Sequence, residues 1–183
     1  MTDPVATQIE DKFTYQASSE PGTVDMMVNM GPQHPATHGV FRMELRVDGE
    51  QIQDVVPHIG YLHRGSEKLC EHELYSQIIT LFDRFDYVSN FNNELVIVSA
   101  VEKLMGVEPP PRAELIRIIM CEFNRIASHL LFYGTFAIDM GAITPVLYNF
   151  RDREKIQSLF ESVSGARMMH NYFRVGGVKE DVK

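Results

Sequence analysis

The sequence predicts an α+β protein, mainly α, in which a small N-terminal β hairpin or sheet precedes a helical bundle. Three observations predict it. Asp48-Gly49 separates two strand-like runs, and Asp-Gly between such runs is a strong short-range hairpin signal. From Ser66 onward the apolar residues recur at helical spacing. Gly106, Pro111 and Gly165 punctuate that region where helices stop and start.

The elements follow in order. Residues 1–22 are polar, with Pro4, Pro21 and Gly22, and read as a flexible N-terminal arm. Residues 23–183 read as one domain. Within it, Val24 to Met30 forms a strand, and Val40–Val47 and Glu50–Pro57 form the hairpin around Asp48-Gly49. Ser66 is placed to cap a helix running through Glu67 to Thr80 and beyond. A second helix is expected from about Tyr87 to Met105, stopped by Gly106. Pro111 suits the first turn of a third helix, where its missing N–H costs nothing. There Leu115, Ile116, Ile119, Met120, Phe123, Ile126, Ala127, Leu130 and Leu131 share one face, opposite Glu114, Arg117, Asn124, Arg125 and Ser128. That pattern predicts a core-facing amphipathic helix. Thr144-Pro145 opens a fourth helix to Ser164. Val175 to Lys183 reads as a connecting loop.

Composition bounds the function. A chain of 183 residues, 44% of them hydrophobic, buries one sizeable core. With 17 basic and 25 acidic residues the formal net charge is -8, which argues against nucleic acid as a partner. Cys70 and Cys121 each stand alone, so neither a disulfide framework nor a thiolate metal site is expected, and a reducing, cytosolic setting fits. The opening residues are neither basic nor apolar and do not read as a signal peptide. The longest apolar run, Leu130 to Ile138, stops at Asp139, well short of the roughly 20 residues a membrane span needs.

Four places could carry chemistry. Gly31-Pro-Gln-His-Pro-Ala-Thr-His-Gly39 is a proline-stiffened loop presenting His34 and His38. Histidine exchanges protons near neutrality, so such a loop could aim an imidazole at a ligand; the alternative is a turn whose histidines cap backbone groups. Two histidines four apart in such a loop lack helical zinc spacing, and His63 and His72 add no recognisable motif, so no metal is expected. Arg64, at the junction of hairpin and first helix, suits an anionic group or is paired with a local carboxylate. Tyr87, in Phe82-Asp-Arg-Phe-Asp-Tyr87, is a proton-donating phenol or a core aromatic with its hydroxyl at the rim. Asp139 is a carboxylate in an apolar stretch, and such groups are rare unless paired or functional. Glu122, Arg125 and His129 line one flank of the third helix as a structural ladder.

Together these segments resemble one family. Gly31-Pro-Gln-His-Pro-Ala-Thr-His-Gly-Val, Pro57-His-Ile-Gly-Tyr-Leu-His-Arg-Gly-Ser-Glu-Lys, Phe82-Asp-Arg-Phe-Asp-Tyr-Val-Ser and Ala137-Ile-Asp-Met-Gly-Ala-Ile-Thr-Pro look like the 49 kDa-type subunit of NADH:quinone oxidoreductase, respiratory complex I. So do Val101-Glu-Lys-Leu, Pro109-Pro-Pro-Arg-Ala-Glu, Val163-Ser-Gly-Ala-Arg-Met and Gly176-Gly-Val. The resemblance runs from about residue 24 to 182 and matches the N-terminal part of longer family members. It implies a quinone-binding core component of a proton-translocating enzyme, peripheral on the cytoplasmic side of the bacterial inner membrane. It implies that His38 and Tyr87 bind the quinone headgroup and donate its protons, with Asp139 partnering His38. His34 shares the loop of His38, and Arg64 matches an arginine near the terminal 4Fe-4S cluster. That cluster is implied to be held by a neighbouring subunit, with a membrane subunit at the quinone entrance as a further partner. This chain itself is expected to bind neither metal nor NADH directly.

The family is also similar to the large subunits of nickel–iron hydrogenases, which implies a hydrogenase-like fold. Those subunits hold their metal with two Cys-x-x-Cys pairs, whereas His63-Arg64-Gly65 stands here where the first would be. A different class of reading is a non-catalytic assembly piece that docks to the cluster-bearing subunit, for which Tyr87 and His38 would have no use.

Overall fold

The computed structural model describes residues 25–37 and 39–182, in two units, 1–64 and 65–183. The predicted arm at residues 1–22 lies outside the described residues.

In the first unit, β1 (Asp25–Met30), β2 (Arg42–Asp48) and β3 (Gln51–His58) form an antiparallel sheet in the order β1-β2-β3. The hairpin stands where the sequence places it, one residue later than expected. Asp48 pairs with Gln51, so the loop is Gly49-Glu50. Gly49 takes φ +60° while Glu50 keeps negative φ, the pattern of a type II′ turn with glycine first. A bulge between Arg46 and Val47 shifts the register. Among the described residues of these three strands, no side chain is buried.

The second unit is helical: α1 (Ser66–Cys70), α2 (Tyr75–Phe82), α3 (Asn90–Met105), α4 (Pro111–Asp139) and α5 (Thr144–Ser164). A short hairpin of β4 (Phe173–Arg174) and β5 (Gly177–Val178) follows. Within the segment predicted as a connecting loop, Gly177–Val178 pairs as a strand. The single helix expected from Ser66 is two, because Leu74 is extended at ψ 149° and Gln77 restarts the chain by accepting the Leu74 N–H at 3.1 Å. Gly65, at φ +66°, occupies the cap position predicted for Ser66. α3 begins three residues later than predicted, since Asp86, Asn90 and Asn93 bind local backbone groups that a helix would otherwise use. Gly106 and Gly165 end α3 and α5 with positive φ, and Pro111 opens α4, as the sequence predicts.

α4 meets the core with a stripe rotated from the one the periodicity predicts, keeping Ile116, Met120 and Ala127 of it. Ala113, Ile116, Arg117, Met120, Cys121, Asn124, Ala127, Gly134 and Ala137 are buried, while Leu115, Ile119 and Ile126 are exposed. The rotation is possible because both polar members are satisfied inside. Arg117 pairs with Glu102 at 2.6 and 3.0 Å, and Asn124 bridges Phe91 N–H and the Val88 carbonyl. α5 packs back on α4 at Gly134, where a Cβ would lie 3.2 Å from Val146 Cα, so glycine permits the close approach. The core gathers Ile79, Phe91, Val98, Ile116, Met120, Phe160, Tyr172 and Phe173. No helix among the described residues is long and apolar enough to cross a membrane.

Candidate functional site

Tyr87 stands in the turn between α2 and α3, with 54% of its surface exposed. It is not the core aromatic that one reading of the sequence allows. The turn beneath it is fixed on every side. Asp83 and Asn90, its two shoulders, are buried, and the Asn90 side-chain amide donates to the Asp83 carbonyl at 2.6 Å. The Asp86 carboxylate accepts the Val88 N–H at 3.1 Å, and the Asp86 carbonyl accepts from Ser89 N–H and the Asn93 amide at 3.0 and 2.9 Å. On the far side Asn124, from the middle of α4, donates to the Val88 carbonyl at 3.0 Å. An exposed phenol on a turn held this way loses little freedom when it meets a ligand.

The Gly31–Gly39 loop is built around Thr37, which is 1% exposed. Its hydroxyl donates to the Pro32 and His34 carbonyls at 2.8 and 2.9 Å, and its own carbonyl accepts the Val40 and Phe41 N–H groups. Gly31 packs so tightly that a Cβ would lie 2.0 Å from the Phe41 carbonyl oxygen. His34 is exposed, just before a 3₁₀ turn at Pro35–Thr37. His38 lies outside the described residues.

Asp139 is the last residue of α4 and is exposed, not buried in the apolar stretch around it. The turn that follows is closed by Met140, Gly141 and Ala142 N–H groups returning to the carbonyls of Phe136, Ile138 and Ala137. A carboxylate there opposes the negative end of the helix dipole, so it does not serve the helix. Arg64 is exposed beside Gly65 and takes no part in the ion pairs among the described residues. Glu122 and Arg125 form the exposed i,i+3 pair that their spacing predicts, at 3.1 Å. Among the described residues no group of three or more metal-ligating side chains gathers in one place. Cys121 is buried, and that burial pushes its thiol up to about 12.

Behind the Tyr87 turn lies a buried polar layer that the sequence reading passed over. Glu94 is fully buried and Asp83 nearly so. Glu94 Oε2 accepts the Tyr172 and Phe173 N–H groups at 2.9 and 2.7 Å, and Asp83 Oδ2 accepts the Asn171 N–H at 3.1 Å. Burial, and then the neighbouring Asp83 carboxyl, push Glu94 up to about 9, while burial also raises Asp83. His170 stacks on Phe91 at 4.1 Å, its Nδ1 3.0 Å from the Ala166 carbonyl, and burial lowers it to about 4. Further along α3, burial opposes the charge on Glu102, but bonds from Arg117 and the Gly176 N–H prevail and hold it below its ordinary range. One signal does point to this layer: Phe91, Glu94, Val98 and Glu102 fall at helical spacing, which sets two acids in an apolar stripe.

Comparison with known proteins gives consistent matches. A curated NADH-quinone oxidoreductase subunit from Geobacter sulfurreducens is 59% identical over 157 residues, 86% of this chain and 40% of the relative. NADH-quinone oxidoreductase subunit 4 of Thermus thermophilus is 53% identical over 167 residues, 91% of this chain and 41% of the relative. A further NADH-quinone oxidoreductase subunit, from Geobacillus thermodenitrificans, is 54% identical over 159 residues, 87% of this chain and 43% of the relative. The family described as "Respiratory-chain NADH dehydrogenase, 49 Kd subunit" matches residues 139–183. The chain spans about two-fifths of the length of these curated relatives. Along most of its own length it resembles that subunit, as its motifs imply.

Proposed function

We propose that this chain, a relative of these NADH-quinone oxidoreductase subunits, contributes Tyr87 and His38 to a quinone-reducing site. The observation that carries the reading is the Tyr87 phenol, exposed on a turn held by Asn90, Asn93, Asn124 and Asp86. A residue of the hydrophobic core would be buried, and a passive surface tyrosine would not need so fixed a base.

Reducing a quinone to a quinol takes two electrons and two protons. In this proposal the electrons come from the terminal 4Fe-4S cluster of a neighbouring subunit. The Tyr87 phenol and the His38 imidazole donate protons as negative charge develops on the two quinone oxygens. Asp139 orients the His38 ring and stabilises its charged form. Arg64 and His34 are assigned to the margin of the site, Arg64 toward the cluster. The chain works from the cytoplasmic side of a bacterial inner membrane, with a membrane subunit at the quinone entrance as its other partner. NADH is oxidised elsewhere in the assembly.

His38→Ala tests the proposal in membranes that contain the whole complex. NADH:quinone reductase activity is expected to fall by about 10²-fold or more, the usual worth of a positioned proton donor. NADH:ferricyanide activity, which needs no quinone, should stay at the wild-type level. Unchanged quinone reduction in an assembled complex would remove His38 from the site. The assembly-piece reading, favoured by the exposed apolar residues of α4, would then take precedence.

A further inference from the structure

We propose that the buried Asp83 and Glu94 carboxyl groups share one proton and that this shared proton positions the Tyr87 turn. The inference rests on the reading of Tyr87 as a quinone ligand and names the device that holds it there.

Each carboxyl group has one oxygen engaged and one without a donor. Asp83 Oδ2 and Glu94 Oε2 accept the backbone N–H groups of Asn171, Tyr172 and Phe173. Asp83 Oδ1 and Glu94 Oε1 are both buried and find no hydrogen-bond partner among the described residues. Because they hold consecutive backbone N–H groups, Asn171 to Phe173, the two carboxyl groups lie side by side. Two carboxylates have no hydrogen to give each other, whereas a carboxylic acid beside a carboxylate has one, so a single shared proton satisfies both spare oxygens. Like charges this close in a protein interior do not both ionise.

The remaining neighbours cannot replace the proton. Arg84 and Arg174 face Asp83, the first exposed and the second only half-buried, so solvent screens their charge. From α4, Glu94 faces the Cys121 thiol, which stays neutral up to about 12. Both carboxyl groups grip the same strip, Asn171 to Phe173, and Asp83 is itself the first residue of the Tyr87 turn. Loss of the proton leaves two adjacent buried negative charges. The cheapest relief is for Asp83 to move outward to water, and the turn carrying Tyr87 moves with it.

Glu94→Gln separates this from a merely structural role. Its amide oxygen accepts from Tyr172 and Phe173 as before, and its NH₂ supplies Asp83 Oδ1 with a hydrogen that does not titrate. Pulse-labelling amide exchange at Val88 and Ser89, corrected for the intrinsic rate, reads the turn in the assembled complex. In the wild type, protection should collapse as pH rises through about 9, whereas Glu94→Gln should keep it. NADH:quinone reductase activity should follow the same division, with an alkaline loss in the wild type that the variant lacks. Glu94→Ala, which offers no hydrogen, should lose protection at neutral pH. Identical exchange in wild type and Glu94→Gln across this range overturns the proposal. If exchange divides as expected but alkaline quinone reduction does not, the proton-sharing pair stands and the role of Tyr87 as quinone ligand falls.

Discussion

Protonation of two buried residues gives the helical unit opposing pH limbs. His170 is held neutral, its pKa lowered from 6.5 to about 4 by burial. A lowered folded-state value means that the unfolded chain binds the extra proton first. Its contribution is therefore complete above pH 6.5 and is lost as pH falls toward 4. Glu94 runs the other way, raised from 4.5 to about 9, so its contribution is complete below pH 4.5 and is lost as pH rises through 9. Urea unfolding of the chain across this range should show both limbs. His170→Phe, a ring of similar size without a titrating group, is expected to flatten the acid limb and leave the alkaline one. An unchanged acid limb would mean that His170 is not buried neutral. At this scale the sequence singled out Tyr87 and the His34 loop as candidates, because they sit in distinctive motifs. It was not legible for His170 and Glu94, because a lone histidine or an acid within a helix is ordinary until its neighbours are known.

Among the elements, the Glu102–Arg117 pair does most to join separate pieces. Arg117 leaves α4 and meets Glu102 of α3 with two bonds, then the carbonyls of Arg174 and Gly177 at 2.8 and 2.9 Å. Gly176 N–H completes the clamp on Glu102 at 2.8 Å. This is why the C-terminal strip folds as a hairpin, although its Gly-Gly sequence reads as a loop. Glu102→Ala leaves the Arg117 charge buried and unpaired, and should destabilise the unit by about 3–5 kcal/mol in urea unfolding. A loss under about 1 kcal/mol would mean that the pair is solvated, as exposed ion pairs are. Helix ends marked by Gly106, Pro111 and Gly165 could be read directly, because their backbone demands are local. The break before Leu74 could not, since neither glycine nor proline marks it and only the Gln77 cap defines the restart.

Across the whole molecule, the distribution of apolar surface is the informative feature. Leu115, Ile118, Ile119 and Ile126 of α4 are 61, 52, 53 and 49% exposed, while Met120 and Ala127 are buried on the opposite side. Periodicity alone could not choose between the two sides, because α4 is apolar over much of its circumference and its core stripe includes an arginine and an asparagine. A large exposed apolar face usually marks an interaction surface. Ile119→Lys should accordingly reduce self-association of the isolated chain, seen by sedimentation, without lowering its melting temperature. Met120→Lys should unfold it. Unfolding by Ile119→Lys as well would restore the helix face that the sequence suggested. The fold class and the family resemblance were legible at this scale because long ordered motifs carry them, and these span most of the chain.

The most direct measurement is NADH:quinone reductase activity in membranes carrying Tyr87→Phe, with NADH:ferricyanide activity as the control. The substitution removes one hydroxyl from an exposed ring and leaves the bonds of its turn untouched. Loss of quinone reduction by about 10²-fold, with ferricyanide reduction and assembly intact, is the predicted result for a phenol that donates to the quinone. Full quinone reduction in the variant would contradict it and leave Tyr87 a surface aromatic.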